Sequence, residues 1–402
     1  MREEVELLSS GLASCLLNGK EVRILKISPE SITVRLSEEA DEISKLVVAF
    51  YMFKENKYDE VNIEDFVINK KKKEEFYYTY SFTIKDKEYF QRVRNTLRDY
   101  SKYVMMKNYG YENQFSLNRR EVLYYNVQIC SLEEMKILKK MMDVYKVPVN
   151  ITFNYLYYLE EQYEMIYEIM KELINIGFNE FIIADISLIL YLNKRGLKCN
   201  IHLSGECAEI NRLSIDFFNQ LNISRYIFHR KNTIDDIKSC ISNNEKRDIQ
   251  YEAFILNERC HYTGGFCSSF HCDELEHLCK LPYEIIKINS ESCHFEEVDK
   301  KLKSYYEKLD NPIEYEESQC SGIKNKIGDT GCGLCSLKKL KEAGVTHLKV
   351  VGRGNSLENM QRDIKGLKKA IAIIDEAKDS EVYEDRIKKE IINGSCSGEC
   401  YY

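Results

Sequence analysis

The chain has 402 residues, 44% of them hydrophobic, with a formal net charge of −7 and 15 cysteines. That is enough for two domains, or one barrel plus a smaller module, with real cores. The acidic balance leaves no global basic footprint for nucleic acid, and no apolar run approaches the ~20 residues of a membrane helix.

The charged opening Met1–Glu6 carries no secretory signal. The expectation is therefore a cytoplasmic, reducing compartment and no membrane partner. There, cysteines read as ligands or free thiols rather than disulfides.

The first 115 residues read as a β-rich module. Strand-favouring segments recur at Glu21–Leu25, Ser31–Leu36, Lys45–Phe53 and Phe76–Ile84, separated by turn residues such as Pro29. Lys70–Lys73 reads as a solvated turn. Lys87–Tyr103 has apolar residues at helical spacing (Phe90, Val93, Leu97, Tyr100). The module is similar in shape to a PilZ-like barrel, without the arginine pair that such domains use to hold cyclic dinucleotides.

From 116 to 402 the rhythm becomes strand, helix, strand. Strands are expected at Val122–Val127, Val149–Asn154, Glu180–Asp185, Cys199–Ser204, Arg225–Arg230, Ile249–Ile255 and His347–Arg353. Helices are expected between them, at Leu132–Lys146 and at Glu161–Ile176, the latter ended by Gly177. Such alternation argues for an α/β fold with a parallel sheet, and the number of strands for a TIM-barrel-like closed barrel. A cysteine-rich insertion, about 256–345, interrupts it.

Several strands end in polar residues: Asn154, Asp185, Ser204 with Glu206, Arg230 and Arg353, with Glu252 inside its strand. The C-terminal strand ends of a parallel barrel open into the catalytic mouth, where buried polar groups must be paired or used. The set reads as the lining of a pocket for a polar or anionic substrate.

Eight cysteines fall within the insertion: Cys260, Cys267, Cys272, Cys279, Cys293, Cys320, Cys332 and Cys335. That density, directly after a strand, points to a metal centre. Tetrahedral zinc and a 4Fe–4S cluster both accept four thiolates, and His261, His271, His277 and His294 keep a mixed zinc site open. Cys130, Cys199 and Cys240 read as small buried hydrophobes, and Cys396–Cys400 as a flexible tail. No nucleophile elbow, zinc-protease helix, phosphate loop or dinucleotide glycine pattern occurs.

In order, Asn154, Phe181–Asp185, Ile201–Ser204, Asn211, Phe228–Arg230, Tyr251–Phe254, the Cys260/Cys267 pair and Gly344–Arg353 resemble the U-32 peptidase family of collagenase-like proteins. The resemblance covers about 120–375. It implies a barrel-like fold with a 4Fe–4S cluster. It also implies either peptidase activity or oxygen-independent hydroxylation of RNA or a quinone precursor, with prephenate as oxygen donor. Cys260 and Cys267 match the first two cluster ligands and Cys335 the last. Cys279 is the substitute for the third, ahead of Cys272, Cys293 and Cys320.

Three readings follow from this. In the first, a cluster on Cys260, Cys267, Cys279 and Cys335 faces a pocket of Asp185, Ser204, Arg230, Glu252 and Arg353, the arginines holding donor carboxylates. In the second, a metal-activated water cleaves peptides with Glu252 or Asp185 as base. In the third, the chain is a non-catalytic, zinc-stapled binding protein.

Overall fold

The computed structural model describes residues 5–6, 13–52, 57–96, 131–207, 210–246, 248–257, 326–328, 330–351, 357–394 and 396–402. They fall into two compact units, the first of Met1–Pro148 with Asn175–Gly177 and the second of the remaining described residues from Val149 on.

The first unit is an antiparallel sheet. Its strands are β1 (Val5–Glu6), β2 (Ala13–Leu17), β3 (Lys20–Ser28), β4 (Ser31–Leu36), β5 (Leu46–Met52), β6 (Lys57–Ile63), β7 (Phe66–Lys73) and β8 (Tyr78–Ile84). They lie in the order β6-β5-β2-β3-β4-β8-β7, with β1 added to β3. Asn18 (φ 49°) and Gly19 (φ 80°) make the β2–β3 turn, the paired left-handed residues that match the twist of a two-residue hairpin. Alternation puts Ile32, Val34 and Phe82 into a core with Cys15, Val48 and Phe50.

A helix over 87–96 begins at Asp86, whose Oδ1 accepts the Glu88 and Tyr89 N–H groups at 2.8 and 3.0 Å. Its Tyr89 hydroxyl donates to the Ser28 and Ser31 carbonyls.

One element of this unit differs from the expectation, and one expected helix is found. The lysine run belongs to strand β7 at the end of the sheet, where charge discourages further strand pairing. The helix Leu132–Tyr145 packs on β3 and β4. Glu133 accepts bonds from the Ser37 hydroxyl and N–H, and Glu134 accepts from Arg35 Nε at 2.6 Å. These acidic residues in its first turn tie it to the antiparallel sheet.

The second unit carries β9 (Ile151–Phe153), β10 (Glu180–Ile183), β11 (Asn200–Leu203), β12 (Ile223–Ile227), β13 (Gln250–Leu256) and β14 (His347–Val350). All pair in parallel and in sequence order, as short right-handed strand–helix–strand units require. Among the described residues they make a curled half-barrel rather than a closed ring. The expected strand at Val122–Val127 lies outside those residues.

The connecting helices cover one face of the sheet. There Phe181, Ile183, Ile201, Tyr226 and Ala253 are buried, and the Tyr226 hydroxyl donates to Asn219 Oδ1 at 3.0 Å. Gly177 (φ 112°) ends the helix Gln162–Ile176 as expected. No helix among the described residues is long and apolar enough to cross a membrane.

Candidate functional site

The other face of the parallel sheet is layered among the described residues. Nearest the N-terminal strand ends runs a charged ladder. His202 Nε2 lies 2.7 Å from Glu180, and Arg225 donates to Gln250 (Nε, 2.9 Å) and to Glu252 (Nη1, 2.9 Å). Lys349 Nζ completes it, 3.8 Å from Glu252. Burial, then the Arg225 charge, holds the His202 pKa below its usual value despite Glu180. The same two causes, in the same order, lower His347.

Above the ladder Ile182, Ile227, Phe254 and Val351 form a small apolar layer. Arg230 covers it, its guanidinium 4.1 Å from the Phe254 ring centre and Nη1 donating to Glu206 Oε1 at 2.5 Å. Lys349 reaches the same ring at 5.3 Å, so the aromatic face carries two cations.

Each strand end holds its polar residue for a local reason. Asp185, 3% exposed, caps the helix Ile186–Lys194. Its Oδ1 accepts the Ser187 and Leu188 N–H groups at 2.8 and 3.2 Å, and its Oδ2 accepts from the Tyr158 N–H (2.8 Å) and the Tyr163 hydroxyl (3.1 Å). Ser204 is buried, and its Oγ accepts the Glu206 N–H at 3.2 Å, shaping the turn that delivers Glu206 to Arg230. Gly205 lies so close under this turn that an added Cβ would stand 3.0 Å from the Phe228 carbonyl oxygen. Glu252 sits in the lower ladder, apart from this edge. Asn257 follows β13 with φ 67°, and its Nδ2 donates to the Val351 carbonyl (3.0 Å) and to buried Asp363 (2.8 Å).

The end of β13 also carries sulfur. Leu256 bridges Cys332, the Gly333 N–H donates to the Ile255 carbonyl at 2.8 Å, and Cys335 sits in the following turn Leu334–Ser336. Cys332 in turn bridges Cys400. The carboxyl-terminal segment is therefore packed, not a loose tail. The Tyr402 hydroxyl donates to the Phe254 carbonyl at 3.0 Å, and that of Tyr401 to the Asn257 carbonyl. Burial pushes the thiols up, Cys332 to about 12 and Cys335 to about 11.

Cys240 is buried as expected, while Cys199 is half-exposed. Asp185, Ser204 and Arg230 thus follow the C-terminal ends of three neighbouring strands, while Cys335 lies in the turn after the bridge to β13. Cys260, Cys267, Cys272, Cys279, Cys293, Cys320 and Arg353 lie outside the described residues, as does Cys130.

The ladder and the meeting of Cys332 with Cys400 escaped the sequence reading. The paired spacings Cys332/Cys335 and Cys396/Cys400 were the available signal for the second. Alternate residues of β10 to β14 (Glu180, His202, Arg225, Glu252, Lys349) were the signal for the first.

The family model described as peptidase family U32 matches residues 109–398 of the chain. Over 98 residues the chain is 24% identical to tRNA hydroxylation protein P of Escherichia coli (strain K12), a stretch covering 24% of this chain and 21% of that protein. Among solved structures, the U32 peptidase Mk0906 aligns with a TM-score of 0.27 and 9% identity, over 30% of this chain and 51% of that one. The Legionella uncharacterized protein Lpg0364 aligns with a TM-score of 0.18 and 16% identity, over 25% of this chain and 97% of that one. The chain thus spans about a fifth of the tRNA hydroxylation protein and about half of Mk0906.

Proposed function

We propose that this chain, which belongs to peptidase family U32, is a cytoplasmic iron–sulfur enzyme that hydroxylates RNA without molecular oxygen. Its oxygen donor would be a small carboxylate such as prephenate. The observation that carries this reading is Arg230, a buried cation at a C-terminal strand end, laid on Phe254 and braced by Glu206. Likeness to a tRNA hydroxylation protein supports RNA as substrate over a small aromatic molecule.

The donor set fits a thiolate-bound centre, since soft sulfurs are the ligands iron–sulfur clusters take. Cys260, Cys267 and Cys279 would hold three corners of a 4Fe–4S cluster. The fourth place falls to Cys335 by resemblance. Such a cluster, when bound, supplies electron transfer or Lewis acidity at the strand edge.

The chain's own groups orient the reactants. Arg230, braced by Glu206 and laid on Phe254, would turn its planar fork toward a donor carboxylate, with Arg353 as partner. Ser204 fixes the turn that presents Glu206. Asp185 acts as a positioning residue, binding the segment at Tyr158 to the start of the next helix. Phe254 and Ile227 give the pocket an apolar floor that strengthens these charges.

The peptidase reading has weaker support. Its candidate bases, Asp185 and Glu252, already accept bonds from donors around them.

The test incubates anaerobically reconstituted protein with undermodified tRNA and prephenate, then measures nucleosides by mass spectrometry. A nucleoside heavier by one oxygen atom, absent without prephenate and reduced in Arg230→Ala, is expected. Unmodified tRNA with an intact cluster would overturn the reading.

A further inference from the structure

We propose that the outer face of the antiparallel sheet, bordered by its edge strand β7, is the surface that holds the phosphate backbone of the RNA substrate. This rests on the reading of RNA as substrate and adds where the chain grips it.

Charge is spread unevenly along the chain. The whole is acidic, at −7. Strands β3, β4, β8 and β7, neighbours in that order, instead carry eight lysines and arginines against one acid, Glu21.

The strand register sorts these cations by face. Ile24, Val34, Tyr80 and Phe82 pack into the core, so the residues alternating with them face outward. Cross-strand neighbours then form two rungs on the outer face. One runs from Lys70 through Ser81 and Thr33 to Lys26, the next from Lys72 through Thr79 to Arg35. The Thr33 and Ser81 hydroxyls bond each other at 3.0 Å. Glu134 of the helix Leu132–Tyr145 meets Arg35, while Lys70 and Lys72 stay exposed, Lys72 reaching Glu74 at 2.5 Å.

The other two lysines of the run point to the opposite side of β7. Lys71 and Lys73 lie 5.9 and 5.8 Å from the Tyr80 and Tyr78 ring centres, and Lys71 also pairs with Glu39. The border of the sheet is thus cationic on both sides. A lysine or two would blunt it against further strand pairing. Four in succession, backed by a hydroxyl-bearing face, exceed that need.

The chemistry of the face selects its occupant. The centre of a protein–protein patch is apolar and poor in lysine. These rungs offer lysines and hydroxyls, the groups that contact phosphate and sugar oxygens. Neither rung carries an aromatic ring on which a base could stack, so the contacts are to the backbone and independent of sequence.

The test uses the full chain purified anaerobically and a tRNA transcript without modifications, with binding read by fluorescence anisotropy across a series of salt concentrations. Lys70→Gln/Lys72→Gln should weaken binding about 10-fold at fixed salt and lower the slope of log affinity against log salt by about 1.5, the loss of two phosphate contacts. Lys70→Arg/Lys72→Arg, which keeps both charges, should bind as the wild type does. Lys171→Gln/Lys368→Gln removes the same charge from exposed positions elsewhere and should also leave binding unchanged. Equal weakening in the two glutamine variants would overturn the proposal, since net charge alone would explain it. So would unchanged binding in Lys70→Gln/Lys72→Gln, a wild-type chain that does not bind tRNA, or poly-glutamate binding more tightly than tRNA. A tRNA held through this face yet left unmodified would sink the hydroxylation reading and leave the surface standing.

Discussion

Replacing Asp185 by alanine separates a structural role from a catalytic one at the strand edge. The carboxylate is 3% exposed and takes four hydrogen bonds: two from the first turn of the helix Ile186–Lys194, one from the Tyr158 N–H and one from the Tyr163 hydroxyl. Loss of an N-cap costs about 1 kcal/mol. The Tyr158 N–H and Tyr163 hydroxyl also lose their acceptor, at ~1–3 kcal/mol for a fully buried donor. Both are only part-buried, so water recovers some of this, and the sum is about 3 kcal/mol.

Asp185→Asn keeps one oxygen for the helix cap but turns an N–H₂ toward the tyrosine donors, and should cost about half as much. Native-state hydrogen exchange at the helix amides is the assay, because a two-unit chain need not unfold in one step. The Leu188 amide should lose protection by about two powers of ten in Asp185→Ala, since 1.4 kcal/mol is a factor of ten. Unchanged protection accompanied by lost activity would refute the positioning role and restore Asp185 as a reacting group.

Glu252→Ala leaves the Arg225 guanidinium largely buried with one carboxylate gone, a loss of ~3 kcal/mol measurable by denaturant titration, with Glu252→Gln milder. Gly205→Ala drives a Cβ to 3.0 Å from the Phe228 carbonyl oxygen and 3.2 Å from that of Ile227. Backbone cannot retreat cheaply, so about 1–3 kcal/mol should be lost, seen as a lower melting temperature.

His202 and His347 have folded pKa values below the ordinary 6.5, so the unfolded chain binds the proton first. Stability is therefore full above pH ~6.5, falls as pH drops through that value, and levels off below the folded pKa values. His202→Gln should flatten this slope in thermal melts across that window. Arg230→Lys keeps the charge but not the planar fork, and should raise the KM for the carboxylate donor at least ~10-fold in steady-state assays.

Much of the parallel unit could be read from the chain because its strands are buried on the helix side and appear as apolar runs. Phe181–Ile183, Ile201–Leu203 and Tyr251–Leu256 match β10, β11 and β13 closely. The antiparallel unit was half legible. β4 and β8 alternate clearly, while β7 hides behind Phe66–Lys73, whose lysines are tolerated because the strand is an edge.

The site divides in the same way. Asp185, Ser204 and Arg230 end their strands and were visible by position. Their partners were not, because Glu206, Tyr158 and Tyr163 reach them through turns whose geometry no periodicity encodes. The bridge from Cys332 to Cys400 joins residues 68 positions apart, and local pattern carries no information at that range.

The proposed hydroxylation depends on a sulfur-bound inorganic centre at the C-terminal edge of the parallel sheet. Iron and acid-labile sulfide, counted per chain after anaerobic purification or reconstitution, test it most directly. Equal amounts of both in a brown protein, lost in Cys260→Ala/Cys267→Ala, are expected. A colourless chain that takes up neither element, at full thiol reduction, would contradict it.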